Sequence, residues 1–183
     1  MFTYKVDEDL SLKLLEKEDA DVLFALVDDS RDYLREWLPW VDNMKQVADY
    51  EPVIEMWLKQ FADHDGFQVG IMYNERLVGM VGFHGIDWSN RKTSIGYWLS
   101  EKYQGRGLIT RAVAALIDYA FTAYDLNRVE IQCGIANQRS KAIPERLGFK
   151  QEGIIRNGEY VYDHYHDCVL YSVLAQEWET YDC

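Results

Sequence analysis

The spacing of apolar residues changes near residue 66, and this change limits the folds that the chain can adopt. Before it, apolar side chains recur at steps of three and four residues, which predicts an amphipathic helix over residues 48–65. These side chains are Val53, Ile54, Trp57, Leu58 and Phe61. After it, residues 66–73, 76–86 and 92–100 have the pattern of strands, and Asn74-Glu75 forms a tight turn between the first two. The chain must therefore combine helices with a meander of three strands.

The rest of the sequence completes this arrangement without a linker that would separate domains. Further strands are predicted at residues 10–16, 127–135, 149–156 and 167–174, with the last two joined by residues 157–166. Helices are predicted at 18–30, at 31–42 until Pro39 stops the helix, from Gly107 to about Tyr124, and at 137–148, where Gly148 is the C-terminal cap. The prediction is a single α+β domain over residues 1–183, with a mixed, mostly antiparallel sheet of six or seven strands flanked by about four helices.

The composition excludes several classes of function. The net charge of −12 and the pI of about 4.7 disfavour direct binding to nucleic acid, which needs a basic face. No apolar run approaches the ~20 residues of a membrane span, and the first ten residues do not resemble a signal peptide. The three cysteines are too scattered for a disulfide framework or a metal site. We therefore expect a cytoplasmic protein with reduced thiols, no metal and no membrane partner.

A glycine-rich turn separates a predicted strand from the longest run of apolar residues at helical spacing. Residues 103–121 read YQGRGLITRAVAALIDYAF, with Gly105 and Gly107 on either side of Arg106. The start of a helix has free backbone N–H groups, and glycine lets a ligand approach them closely, so this turn suits a phosphate or pyrophosphate. It is neither a P-loop nor a complete GxGxxG motif. From this stretch alone, glycines that only close a turn are an equally good interpretation.

A second motif follows the next predicted strand. Residues 137–149, NQRSKAIPERLGF, contain Asn-x-x-Ser and then Leu-Gly-Phe. The first motif, Gln104–Ile109, matches the pattern Gln/Arg-x-x-Gly-x-Gly/Ala except that Ile109 takes the last position. In this order and separation the two motifs resemble the GNAT superfamily of acyl-CoA-dependent N-acyltransferases. The side chain of Ile109 can face the core while its N–H still donates, so the departure affects phosphate binding only mildly.

The resemblance implies a cofactor site and a catalytic group. Acetyl-CoA is the implied cosubstrate, and its phosphates are expected on the loop Gln104, Gly105, Arg106, Gly107, Leu108, Ile109 and Thr110. Asn137 is implied to bind the pantetheine arm, and backbone N–H groups near Trp98 and Leu99 to stabilise the oxyanion. Ser140 is implied to lie near the thioester sulfur and to protonate it. From the residues alone, Asn137 is also a good helix N-cap, and Cys133 and Cys168 are structural.

Further segments resemble one branch of this superfamily, the RimJ/RimL acetyltransferases of ribosomal-protein N-termini. They are residues 36–42, 90–108 and 163–178. The resemblance implies that the acceptor is the N-terminal α-amine of a protein, with Trp37, Trp40, His84 and Tyr160 as candidate substrate-binding residues. Without the resemblance, we would interpret Trp37 and Trp40 as side chains that pack against the helical arm, the helices predicted over residues 18–42.

The general base is the least determined part of the site. Glu159 is the first candidate, because its place on the last hairpin and its spacing from Ser140 resemble the RimL-like pattern, although an exposed turn residue is at least as good an interpretation. His164, His166, Tyr160, Asp167 and His84 are alternatives, whereas Asp87 and Glu130 are disfavoured.

Two other functions are compatible with the same motifs. One is acetylation of a small cationic amine such as a polyamine, and the other is a coenzyme A-binding sensor without catalysis. The negative charge suits a basic protein as partner, and aromatic residues on the helical arm and last hairpin are compatible with a homo-oligomer.

Overall fold

A computed structural model describes residues 2–179 of the chain. The strands are β1 (Thr3–Lys5), β2 (Leu10–Leu14), β3 (Phe67–Tyr73), β4 (Arg76–Asp87), β5 (Lys92–Leu99), β6 (Arg128–Gly134), β7 (Lys150–Val161) and β8 (His164–Leu174). The helices are α1 (Ala20–Asp29), α2 (Arg31–Arg35), α3 (Glu51–Ala62), α4 (Leu108–Thr122) and α5 (Gln138–Arg146).

All eight strands form one sheet in the order β1-β2-β3-β4-β5-β6-β8-β7. Among the described strands, β5 and β6 form the single parallel pair, and every other neighbouring pair is antiparallel. The predicted α+β class with a mixed, mostly antiparallel sheet is thus confirmed. The sheet has one strand more than the upper prediction, because the three residues of β1 are all exposed and carry no burial pattern.

Each face of the sheet has its own core. Helix α4 packs on one face, where Val113, Ile117 and Ala120 are fully buried against Phe83 and Ile131. Helices α1 and α3 pack on the other face, where Leu23, Val27 and Ile54 lie against the side of β4 that faces away from α4. The domain therefore has three layers, and the sheet is the layer that any opening between strands must cross.

Local chain signals confirm two of the predicted turns. Asn74 and Glu75 have φ values of 47° and 63°, and they connect Tyr73 to its partner Arg76 in the β3–β4 hairpin. Two consecutive residues with positive φ are the mark of the hairpin turn that matches strand twist. Gly148, with φ of 75°, follows α5 as its C-terminal cap.

Two predicted boundaries were wrong. The second helix ends at Arg35 rather than near Pro39, because a residue before proline disfavours helical geometry and proline has no N–H to donate. The connection at 157–166 is mostly strand, since β7 continues to Val161 and β8 begins at His164. The turn consists of Tyr162 and Asp163 alone. The strands were missed because their exposed, polar residues lack an apolar alternation.

Within residues 2–179, no helix is long and apolar enough to cross a membrane. The same residues contain no group of three or more metal-ligating side chains placed to hold an ion.

Replacing Ile117 by alanine should lower the free energy of unfolding by about 2–5 kcal/mol, because Ile117 is fully buried between α4 and the sheet. The same replacement at Val22, which is 50% exposed on α1, should change the free energy of unfolding by less than about 0.5 kcal/mol. Urea unfolding of both variants checks this. Equal losses would show that the α4 face does not form the main core.

Candidate active site

The site begins where two central strands separate. Strands β5 and β6 pair only at Lys92–Arg128, Thr93–Val129 and Ser94–Glu130. Beyond Ser94, β5 remains on β4 as far as Leu99, while β6 remains on β8 as far as Gly134. The facing edges of β5 and β6 are therefore left without a strand partner. They open into a cleft of ≈ 1410 Å³ that passes between the helices on both faces of the sheet.

The glycine loop lies at one end of this cleft. Gly105 and Gly107 have φ values of 74° and 72°, and Gly107 is the N-cap of α4. Apart from the chain neighbours of each glycine, no atom of the described residues lies within 4 Å of the position that a Cβ would take. The two glycines thus combine left-handed backbone with open space at the start of a 15-residue helix, where the first N–H groups are free. Such a geometry suits an anion, and phosphate binding at this loop stays a prediction.

Arginines from α5 complete the loop end of the cleft. Arg139 Nη1 donates to Gln104 Oε1 at 2.7 Å, and Arg146 Nη1 donates to Thr110 Oγ1 at 2.8 Å. The other end of the Gln104 amide, Nε2, is buried and has no partner among the described residues. We call the loop with Arg106, Arg139 and Arg146 the basic end.

The sequence interpretation missed Arg139 and Arg146. They are seven residues apart in the second motif, so they lie two turns apart on one face of α5, and that spacing could have identified them. One further residue of the loop, Ile109, has a structural role. Ile109, only 8% exposed, packs in the core below the loop, which fits the departure from the motif at this position.

A small polar cluster lies where the strands separate. Ser140 Oγ lies 3.2 Å from Cys133 Sγ and 3.4 Å from Tyr97 Oη, and Tyr97 Oη donates to the Ser140 carbonyl at 2.8 Å. Asn137 is the N-cap of α5, and its Oδ1 accepts from Ser140 N at 3.0 Å. All four residues also line the cleft, so the capping role of Asn137 leaves it next to a ligand. The sequence analysis did not identify Tyr97.

The protonation of this cluster suits hydrogen bonding rather than nucleophilic attack. Burial raises the pKa of the Cys133 thiol, although hydrogen bonds from Ser140 and Tyr97 lower it in part. Burial also raises the pKa of the Tyr97 hydroxyl well above its usual range. Both groups are therefore protonated at neutral pH, and a neutral thiol is a poor nucleophile. Cys168 is buried as well, whereas Cys183 lies outside the described residues.

Another part of the cleft lining is an aromatic wall. We use this name for Tyr33, Trp37, Trp40, Trp57 and Trp98, all of which line the cleft. The rings of Trp40 and Trp98 are 6.0 Å apart, which connects the segment after α2 to the end of β5. Tyr50, only 2% exposed, also lines this side, and its hydroxyl has no partner among the described residues. Trp37 and Trp40 thus line the cleft, and their role in substrate binding stays a prediction, whereas Tyr50 was missed.

Glu159 and His84 enter the cleft from the strands. Burial raises the pKa of Glu159, and the charge of His166, its cross-strand partner, lowers it in part. The His84 ring lies over Gly96. Burial of part of this ring lowers the pKa of His84, although the rest of the side chain is in contact with solvent. Glu159 is thus a carboxylate whose proton affinity is increased, and His84 is neutral at neutral pH.

The other proposed residues lie elsewhere. Tyr160 is 52% exposed and packs on Tyr165, since successive strand residues face opposite sides and Glu159 faces the cleft. Tyr160 therefore does not line the cleft, and its contact with a substrate stays a prediction. Of the weaker candidates, Asp87 bonds Asn90, Glu130 pairs with Arg128, and Asp167 accepts from Asn157 N, all away from the cleft.

The sequence resembles proteins of known family. A family model described as an acetyltransferase (GNAT) domain matches residues 9–150. The putative ribosomal N-acetyltransferase YdaF of Bacillus subtilis (strain 168) is 43% identical over 180 residues, which are 98% of each chain. The ribosomal-protein-serine acetyltransferase of Escherichia coli (strain K12) is 30% identical over 172 residues, covering 93% of this chain and 95% of that protein.

Solved structures with bound ligands have the same fold. The microcin C7 self-immunity acetyltransferase MccE, in complex with acetyl-CoA and AMP, has a TM-score of 0.90 at 26% identity and covers 93% of this chain and 94% of its own. RimL, the ribosomal L7/L12 alpha-N-protein acetyltransferase, in complex with coenzyme A, has a TM-score of 0.91 at 25% identity and covers 94% and 98%.

Replacing Gly107 by alanine should weaken coenzyme A binding by roughly 10- to 100-fold. The added methyl group would enter the open space at the start of α4, where a phosphate is expected to accept from a backbone N–H. The expected loss is that of one hydrogen bond to a charged group. Gly148→Ala is a matched control, because Gly148 has nearly the same φ of 75° and equally open surroundings but lies outside the cleft. Isothermal titration calorimetry measures binding, and thermal unfolding should show a similar loss of stability in both variants. Equal affinities would contradict the anion site.

Proposed function

Because this chain belongs to the GNAT acetyltransferase family and is an acyl-CoA-dependent N-acetyltransferase, we propose that its acceptor is the N-terminal α-amine of a protein. Two named relatives, the serine acetyltransferase of Escherichia coli and RimL, act on ribosomal proteins. A ribosomal protein is accordingly the acceptor that we propose first.

The charge of the cleft is the observation that carries this proposal. Among the described residues that line it, Glu159 is the single carboxylate, and the surrounding wall is aromatic and apolar. A polyamine has several positive charges, which would call for several carboxylates. One α-amine needs one carboxylate. An extended peptide can also lie along aromatic side chains. The net charge of −12 is thus located outside the site, where it can attract a basic protein without selecting a polyamine.

The cleft has room and partners for two substrates. Its volume of ≈ 1410 Å³ exceeds the ~300–1,000 Å³ of a usual small-ligand pocket. Among the described residues, the two buried polar atoms without a protein partner are Gln104 Nε2, at the basic end, and the Tyr50 hydroxyl, beside the aromatic wall. We assign the basic end to the phosphates of the acyl donor, with Asn137 near its pantetheine arm, and the aromatic wall to the acceptor peptide.

The reaction then needs three contributions from the chain. The amine attacks the thioester carbonyl directly, so no acyl-enzyme forms, in keeping with the neutral thiol of Cys133. Backbone N–H groups of β5 near Trp98 and Leu99, on the edge that β6 leaves free, stabilise the oxyanion. Ser140 gives a proton to the leaving sulfur and regains one from the attacking amine. The Tyr97 hydroxyl orients Ser140, because it accepts from Ser140 Oγ and donates to the Ser140 carbonyl.

Glu159 is the proposed base for the amine. An α-amine has a pKa near 7.8, so about 15% of it is already neutral at pH 7, whereas only roughly 0.04% of a lysine side chain is. A single carboxylate with a raised pKa is enough for the first case. His84 lies in the same cleft but against Gly96 of β5, so we give it a place in the wall for the acceptor.

Acetyl transfer from acetyl-CoA should be observed with short peptides that begin with Ser and should disappear when their N-termini are blocked. Free thiol release is the measurement, and peptides beginning with Ala or Met, together with spermidine, complete the panel. Turnover on spermidine alone would replace the proposed acceptor by a small polycation. Binding of acetyl-CoA without turnover on any amine would favour a sensor.

Glu159→Gln should lower kcat/KM for the accepted peptide by about 100-fold, the lower range for loss of a general base. In the wild type, the rate should fall as pH decreases through the raised pKa of Glu159, because the carboxylate is then protonated and cannot accept a proton. That acid limb should be absent from the pH profile of the variant.

Glu152→Gln is the matched control for this profile. Glu152 is on the same strand, but hydrogen bonds from Arg128 and Ser172 hold its pKa at about 2, so it is ionised over the whole assay range. Its replacement should leave the acid limb in place. A Glu159→Gln enzyme with an unchanged profile would show that another group is the base.

A further inference from the structure

Acetylation of an ammonium group releases a proton that has to leave the cleft. The balance is R–NH₃⁺ + CH₃CO–S-CoA → R–NH–COCH₃ + CoA–SH + H⁺, in which one amine proton ends on the thiol and one goes to water. Glu159, the proposed base, is only half-buried, but it faces the cleft and not bulk solvent. The side chains next to Glu159 are therefore of interest as a way out for this proton.

Two hydrogen bonds connect His166, the cross-strand neighbour of Glu159, to His164 and then to Asp163 at the surface. His166 lies directly opposite Glu159 in the β7–β8 pair, where side chains are typically about 5 Å apart at Cβ. His166 Nε2 lies 2.6 Å from His164 Nε2, and His164 Nδ1 lies 2.6 Å from Asp163 Oδ1. The side chains of His164 and Asp163 are 61% and 88% exposed, so the chain ends in water.

The hydrogen-bond partners fix the tautomers of both rings. The Asp163 carboxylate can only accept, so His164 Nδ1 carries a proton. A neutral His164 then has its lone pair on Nε2, and His166 must donate to it from its own Nε2. His166 Nδ1 is consequently the free acceptor.

The free nitrogen of His166 is directed toward the cleft. Nδ1 lies 3.8 Å from the Cβ position at Gly134, a residue that lines the cleft. Trp37 packs edge-on against the His166 ring with 6.0 Å between centroids, which holds the ring in this orientation. The acceptor nitrogen therefore faces the same space as the Glu159 carboxylate.

We propose that His166, His164 and Asp163 form a proton-exit relay that returns Glu159 to its carboxylate form after each turnover. This rests on the proposed role of Glu159. The Glu159 O–H bond breaks as an N–H bond forms at His166 Nδ1, the Nε2 proton of His166 passes to His164 Nε2, and the Nδ1 proton of His164 passes to Asp163 and then to water. No oxidant or co-reactant is needed. The rings return to their first tautomers after the products have left: water protonates His164 Nδ1, the Nε2 proton of His164 returns to His166 Nε2, and the Nδ1 proton of His166 goes to water in the emptied cleft.

His164→Asn tests the relay, because asparagine keeps a polar side chain but cannot pass a proton from one nitrogen to another. We expect kcat to fall about 10-fold at low buffer concentration, a small part of a full acid–base effect, with KM unchanged. Added imidazole should restore kcat in proportion to its concentration. Tyr165→Phe is the control, since Tyr165 is the adjacent exposed residue on the opposite face and should behave as wild type with or without imidazole.

An unchanged kcat in His164→Asn, or a reduced kcat that imidazole does not restore, would overturn the relay. The assay uses whichever amine the wild type acetylates, so a failure of Ser-peptides as acceptors counts against the proposed acceptor and not against the relay.

Nitrogen-15 NMR of the wild-type histidine rings at pH 8 gives a readout that needs no acceptor. We expect His164 to carry its proton on Nδ1 and His166 on Nε2. A proton on His166 Nδ1 would leave no acceptor toward Glu159 and would overturn the relay directly.

Discussion

The separation of β5 from β6 after three paired residues is the constraint on which the rest of the site depends. A parallel pair that continued to Leu99 and Gly134 would satisfy both strand edges and leave no passage between the two faces of the sheet. Because the strands part, backbone hydrogen-bonding groups are available in the middle of the domain. The two cores keep this opening in place, since each strand remains held by its antiparallel neighbour on the other side.

The opening also explains how an acidic protein can hold an anionic ligand. The chain has a net charge of −12, yet the arginines that line the cleft come together at the glycine loop through α4, α5 and the loop itself. Arg111 is paired with Asp7 and Asp9, whereas Arg139 and Arg146 bond neutral groups of the loop and form no ion pair with the residues that the structure describes. Local arrangement, not net charge, decides what such a site attracts.

The β7–β8 hairpin connects the site to the solvent, and its residues were interpreted least well from the sequence. Alternation along a strand separates Glu159 and His166, which face the cleft side, from Tyr160 and Tyr165, which pack on each other outside. The sequence interpretation treated residues 157–166 as a connection and could not assign faces to them. Once the segment is strand, the register alone decides which of its ionisable groups can act on a substrate.

Sequence patterns alone predicted the α+β class, the order of most elements, the glycine turn at the start of α4 and the cap at Asn137. These depend on local periodicity and on residues with special backbone preferences, which act over a few positions of the chain. The folded domain was needed to show the partners of Ser140, the arginines around Gln104, the position of Tyr160 outside the cleft and the pairing of Glu159 with His166. Each of these joins residues distant in sequence or depends on strand register, and register is set by long-range packing that no local pattern records.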